Sequence, residues 1–173
     1  MQQFINNLFD RLPIFDGVAL FFHKRIIRRR ILNYYKTCDI HPTVVLGDVI
    51  LDKNVSIGEG TYINSGQLFT GEKSKVEIGC CCAIGYNVHI KARSHNPLKP
   101  TRLSLDDVHL RKEADIIIGN YCWIGDNVFI GPGIHVGDHC IIGANSVVTH
   151  DVPSYAVVGG VPARLIRSQK PLE

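Results

Sequence analysis

The chain has 173 residues, 45% of them hydrophobic and 20% charged, which suits one soluble domain with a buried core. Its net charge of +3 gives no argument for nucleic acid as a partner, and the apolar stretch 12–22, broken by Pro13 and Asp16, is too short to span a bilayer. The six cysteines form no CxxC pair and three of them are consecutive, Cys80, Cys81 and Cys82. That is a poor disulfide framework, so with no secretory leader visible a reducing, cytoplasmic setting is expected.

Residues 1–36 carry no repeat. Phe4, Leu8 and Leu12, then Ile26, Ile27, Ile31 and Tyr34, fall at helical spacing and predict a short α-helical N-terminal segment that caps the rest of the chain. His23-Lys24-Arg25 and Arg28-Arg29-Arg30 make this segment basic. Such a helix either makes peripheral contact with an anionic membrane, at the inner membrane face, or is a solvated or subunit-facing element.

From 37 to 154 a period of six takes over. Ile40 and Leu46 form a ragged first turn; Leu51, Ile57 and Ile63 come next, then Ile78, Ile84 and Ile90, and then Ile118, Ile124, Ile130, Val136, Ile142 and Val148 without a slip. Neither a helix nor an alternating strand has this period. A six-residue unit suits a short strand and a tight corner, and three units close one triangular coil whose aliphatic residues point inward. Coils stack at about the β-sheet spacing of ~4.8 Å. In this frame Leu51, Ile78, Ile118 and Val136 share the first wall, Ile57, Ile84, Ile124 and Ile142 the second, and Ile63, Ile90, Ile130 and Val148 the third.

Two breaks in the period predict loops near 66–77 and 95–117, both leaving the third wall and therefore neighbours. The residue four places after each inward aliphatic must be small. Cys82, Cys122 and Cys140 occupy that place on the first wall, and they predict a buried, inert ladder with Val55 below it. Cys80 and Cys81 are expected to face outward. His95, where the long loop departs, is expected to face a groove; His135 falls at the equivalent place one coil on. Residues 155–173 form a tail, with Val161–Arg167 a short closing helix or an extended segment.

The blocks IIIGNYCWIGDNVFIGPGIHVGDHCIIGANSVVTHDVP and YAVVGGVPARLIR, with Ser94-His95-Asn96-Pro97, resemble the hexapeptide-repeat acetyltransferases. The likeness is greatest to the galactoside and maltose acetyltransferase branch and the related polysaccharide O-acetyltransferases, and it covers about residues 40–167. It implies an all-β, left-handed parallel β-helix over 37–154 and a homotrimer with active sites in grooves between subunits. It also implies acetyl-CoA as co-substrate, a tail that closes the coenzyme A site, and a hydroxyl acceptor, a sugar of a surface polysaccharide or its precursor. No metal is expected, because the thioester is already activated.

Acetyl transfer to a hydroxyl needs a base, and histidine suits the task because it titrates near neutrality. His95 matches the family's catalytic histidine. Asn64 resembles the asparagine that contacts the acceptor, and also suits a plain corner. The acidic pair that the galactoside enzymes carry in the following loop is absent from Thr70–Lys75. Trp123 resembles the groove-lining tryptophan and would equally serve a subunit contact. Asp126, Ala144 and Thr149 match positions bordering the pantetheine arm, or are structural corners. Arg164 and Arg167 match the C-terminal arginines that suit the phosphates of coenzyme A. Two other functions fit the same coil: a γ-class carbonic anhydrase-like zinc enzyme, which needs three histidines around the metal, and a non-catalytic β-helix scaffold.

Overall fold

The computed structural model of the protein describes residues 38–95 and 111–169. The helical cap expected over 1–36 and the middle of the second loop lie outside them. The described chain from Asp39 on is all strand and turn. It runs through β1 (Asp39–Ile40), β2 (Val45–Leu51), β3 (Val55–Ile57), β4 (Tyr62–Phe69), β5 (Val76–Ile78) and β6 (Ala83–Ile84). Then come β7 (Val88–Lys91), β8 (Arg93–His95), β9 (Arg111–Glu113), β10 (Ile116–Ile118), β11 (Trp123–Ile124) and β12 (Phe129–Ile130). It ends with β13 (His135–Val136), β14 (Ile141–Ile142), β15 (Val147–Val148), β16 (Ala156–Gly159) and β17 (Arg164–Ser168).

These strands wind into a parallel β-solenoid with three walls. The first wall stacks β1, β3, β5, β10 and β13, so that Ile40, Ile57, Ile78, Ile118 and Val136 form one inward column. The second takes the first halves of β2 and β4, then β6, β11, β14 and β16, and its column is Leu46, Ile63, Ile84, Ile124, Ile142 and Val158. The third takes the remaining halves of β2 and β4, then β7, β12 and β15, with Leu51, Leu68, Ile90, Ile130 and Val148 inward. Most of these side chains are fully buried, each burial worth about 1.5–3 kcal/mol.

Downstream of Ile78 the walls are as the period predicts. Upstream they are displaced by one wall: Leu51 belongs to the third wall, Ile57 to the first and Ile63 to the second. The cause is Leu68, which comes five residues after Ile63 and not six. The chain takes the corner there as a bend inside the long strand β4, not as a tight turn. Gly66, at φ 147°, makes the bend possible, since a Cβ there would strike the backbone of Val88. The first loop is therefore shorter than expected, because 66–69 are strand. The second loop starts and ends as a β8–β9 antiparallel arm, and Ile116 and Ile117 already belong to the first-wall strand β10. Both loops do leave the third wall as neighbours: Lys73 and Lys75 donate backbone N–H bonds to the carboxylates of Glu113 and Asp115, at 3.1 and 2.9 Å.

Cys82, Cys122 and Cys140 are buried as predicted, each thiol pointing at a carbonyl of a neighbouring coil 3.1 Å away, those of Gly119, Gly137 and Pro153. Below them stands Thr61, not Val55: its hydroxyl accepts from the Cys82 N–H at 3.0 Å. Val55 stacks instead under Val76 and Ile116. Along the ladder the thiols shift in opposite directions: the Cys140 and Cys82 sulfurs, and then burial, push the Cys122 thiol up, while the Cys122 thiol lowers those of Cys82 and Cys140 to about 7 each. It is therefore burial that keeps these cysteines unreactive.

The corners differ in chemistry. Asn87, Asn127 and Asn145 share one corner in the left-handed conformation, and their amides join in a ladder at 2.9 and 3.1 Å. Cys81, Tyr121, His139 and Tyr155 share another, also at positive φ, which is costly for such residues. There the rings of Tyr121, His139 and Tyr155 stack, with centroids 4.9 Å apart. At the far end Val152 bridges to Val136 two residues ahead of the eighteen-residue period. The winding continues past the expected boundary at 154 through β16. β17 then returns antiparallel, so the tail is extended and not helical.

Candidate active site

The third wall is where the chemistry-bearing side chains leave the repeat. After Ile90 the chain alternates: Ala92 is fully buried, while Lys91, Arg93 and His95 point outward, as every second residue of a strand does. His95 ends β8 and is exposed. The arm that carries it is anchored at its root. Ala92 donates its N–H to the Phe69 carbonyl and accepts from Ala114, at 2.8 and 3.0 Å. Arg93 lies 3.8 Å from the largely buried Asp52 carboxylate, and Glu113, paired across from Arg93, turns to the Lys73 N–H.

Phe69, Lys91, Arg93, Ser94, His95 and Phe129 line a cleft of about 380 Å³. The Phe69 ring has Lys91 Nζ 5.5 Å and Arg93 Cζ 5.8 Å from its centroid, within the range of a cation–π contact. The cleft thus combines an exposed imidazole, two aromatic rings and two cations. His95 is expected at a groove and is found at one. The hexad frame does not single out Lys91 and Arg93 beside it, although the outward alternation Lys91, Arg93, His95 is visible in the sequence.

None of the other predicted site residues lines this cleft. Asn64 sits in β4 at the corner after Ile63, on the second wall and not on the third. Trp123 is outward on the second wall and 58% exposed, in a column with Val45, Tyr62, Ala83, Ile141 and Val157. Asp126 and Ala144 come next on the exposed corner, and Asp126 Oδ1 accepts the Tyr86 N–H at 2.7 Å, a structural tie to the coil below. Thr149 meets His150 Nδ1 at 2.9 Å. Arg164 borders a separate cleft of about 460 Å³, with Val148, His150, Val152, Val158 and Leu165. Arg167 is exposed on β17, opposite Val157.

His135 does not share a position with His95: it pairs with Ile117 on the first wall, because the arm takes His95 out of the repeat. Among the described residues no group of three or more His, Cys, Asp or Glu side chains is placed to hold a metal ion, so nothing there favours the zinc-enzyme alternative.

The pattern of the family "Bacterial transferase hexapeptide (six repeats)" matches residues 115–150. Galactoside O-acetyltransferase of Escherichia coli K12 is 37% identical over 121 residues, which are 66% of this chain and 54% of that protein; the chain spans about half the length of that relative. A solved galactoside acetyltransferase in complex with coenzyme A superimposes with a TM-score of 0.62 at 31% identity, covering 83% of this chain and 70% of that one. A hexapeptide-repeat acetyltransferase of Vibrio cholerae, complexed with acetyl-coenzyme A, gives 0.66 at 29% identity, covering 82% and 77%. The three-walled coil, the uninterrupted hexads from Ile118 to Val148 and these likenesses agree: the chain belongs to the hexapeptide-repeat acetyltransferase family.

Proposed function

We propose that this protein is an acetyl-CoA-dependent O-acetyltransferase that acts on a sugar hydroxyl, of a surface polysaccharide or its precursor. The observation that carries the reading is His95, exposed at the end of an anchored arm and bordering an aromatic-lined cleft, in a chain whose relatives include structures holding coenzyme A or acetyl-coenzyme A. In the reaction the imidazole takes the proton of the acceptor hydroxyl as its oxygen attacks the thioester carbonyl. The C–S bond then breaks, the imidazolium returns the proton to the leaving thiolate, and the products are an acetyl ester and the free thiol. The coil is left-handed in this reading.

Arg164 and Arg167 hold the phosphates of acetyl-CoA, the pantetheine arm passes Asp126, Ala144 and Thr149, and Asn64 and Trp123 contact the acceptor. Asn64 and Trp123 lie on the second wall, and Arg164 borders a cleft separate from that of His95. This supports a homotrimer in which a neighbouring subunit completes each site. The exposed apolar column Val45, Tyr62 and Trp123 supports the same assembly, since such a surface calls for a partner. The tail from 155 on closes the coenzyme A site, and the protein acts in the cytoplasm. There its basic N-terminal segment allows peripheral contact with the membrane.

The test is thiol release from acetyl-CoA in the presence of a panel of methyl glycosides and oligosaccharides, with acetyl esters located by mass spectrometry. Acceptor-dependent release is expected. Binding of acetyl-CoA without transfer to any hydroxyl, or stoichiometric zinc with carbon dioxide hydration, would overturn the proposal.

A further inference from the structure

Lys91 and Arg93 are not needed to deprotonate a hydroxyl, yet both flank His95 in its cleft. The wall that presents them is built to keep them there. Ala92 between them is buried, which fixes both on the outward face. The Phe69 ring lies within cation–π reach of each, and Asp52 holds the Arg93 guanidinium from one side at 3.8 Å. The Asp52 carboxylate is itself turned inward, its oxygens accepting the N–H groups of Lys53 and Thr70 at 2.9 and 3.3 Å. Glu113, the acid across from Arg93 on the arm, is turned to the Lys73 N–H. Among the described residues the lining therefore holds two cations and no carboxylate. A neutral sugar gains little from such a wall; a negatively charged group gains charge-assisted hydrogen bonds in a partly desolvated place.

We propose, resting on the acyltransferase reading above, that the cleft beside His95 is made for an anionic acceptor. A carboxylate- or phosphate-bearing sugar would place its charge on Lys91 and Arg93, its apolar ring face against Phe69 or Phe129, and the hydroxyl to be acetylated at His95. Lys91 and Arg93 then set which acceptor is used and how it is oriented; they do not move the proton. The same two cations would also attract the phosphates of acetyl-CoA, so the test must separate the two anions.

The experiment compares isosteric pairs on the full chain: methyl glucuronide with methyl glucoside, and methyl galacturonide with methyl galactoside. Each is assayed with the wild type and with Lys91→Gln, Lys91→Arg and Arg93→Gln. The expected result is at least a tenfold higher kcat/KM for the acidic member of a pair, falling as ionic strength rises. In Lys91→Gln the acidic acceptor's KM should rise about tenfold with kcat and the acetyl-CoA KM little changed, and Lys91→Arg should restore the preference. Equal or higher kcat/KM for the neutral sugars would overturn the proposal. So would an effect of Lys91→Gln confined to the acetyl-CoA KM, which would assign the cations to the phosphates of coenzyme A. Calorimetric titration of the two sugar types, without acetyl-CoA, separates the two readings. Lys91-dependent binding of the uronide with no transfer would retain the anionic cleft and reject acetyl transfer, whereas transfer to neutral sugars alone would do the reverse.

Discussion

The coils from Ile116 to Val148 and the third-wall break between Phe69 and Ala114 use the same kinds of residue for opposite ends. In the upper coils every sixth residue is aliphatic and buried, the corners repeat, and each strand pairs in step with those above and below. At the break the step is lost, an antiparallel arm leaves the wall, and the outward positions carry Lys91, Arg93 and His95. Regular stacking adds stability one coil at a time; departure from the period is what lets a titratable side chain stand clear of its neighbours, beside a cleft.

This division is open to attack from both sides, the largest effect first. His95→Ala removes a group that belongs to the break, so turnover is expected to fall about 10²–10⁴-fold while the circular dichroism spectrum and the melting temperature stay as in the wild type. Full activity in that variant would take His95 out of the mechanism. Ile124→Ala strikes the other side. It empties a fully buried place between Ile84 and Ile142, and a loss of about 2–5 kcal/mol in urea unfolding is expected, with kcat at low temperature little changed. Ile50→Ala, on an exposed side chain of the third wall, is expected to stay within about 0.5 kcal/mol. If the exposed and the buried substitution cost the same, the inward columns do not hold the coil together.

Much of this is legible in the residues. The hexads specify the solenoid because a residue buried once in six admits neither helix nor plain strand, and the two long gaps locate both loops on one wall. The wall assignment upstream of Ile78 is not legible. The step from Ile63 to Leu68 is one residue short, and nothing in the pattern alone tells a skipped corner from the start of a loop. For the same reason the period sets Asn64 beside His95, one wall away from where it lies. Arg93 and Lys91 escape notice because a repeat frame marks what points in, and the cleft is built from what points out. Asp126 stands out by its match to a ligand position, whereas its carboxylate also accepts a backbone N–H from the coil below, a contact that only the stacking of coils creates.

The aromatic corner gives a smaller effect than Ile124→Ala and a sharper question. His139 is held at φ 56° between the rings of Tyr121 and Tyr155. His139→Ala keeps the left-handed backbone and loses both stacks, worth about 0.5–1.5 kcal/mol each, so a loss of about 1–3 kcal/mol is expected. His139→Gly loses the same stacks but also relieves a backbone cost of about 1–2 kcal/mol, and should be the more stable of the two by about that margin. Equal stability of the two variants would mean that the corner carries no backbone strain.

The smallest effect concerns the thiols. Cys81 is exposed and Cys80 half-buried, while Cys82, Cys122 and Cys140 are closed in the column. With a thiol reagent in mildly alkaline buffer, Cys81 should label first and Cys80 more slowly. The three column cysteines should label only as fast as the coil unfolds, because their sulfurs are buried and packed against carbonyls of neighbouring coils. Cys122→Ala should therefore leave turnover unchanged while lowering stability modestly. Rapid modification of Cys122 in the folded protein would mean that the column opens on its own, and the upper coils would then be no more rigid than the break they are compared with.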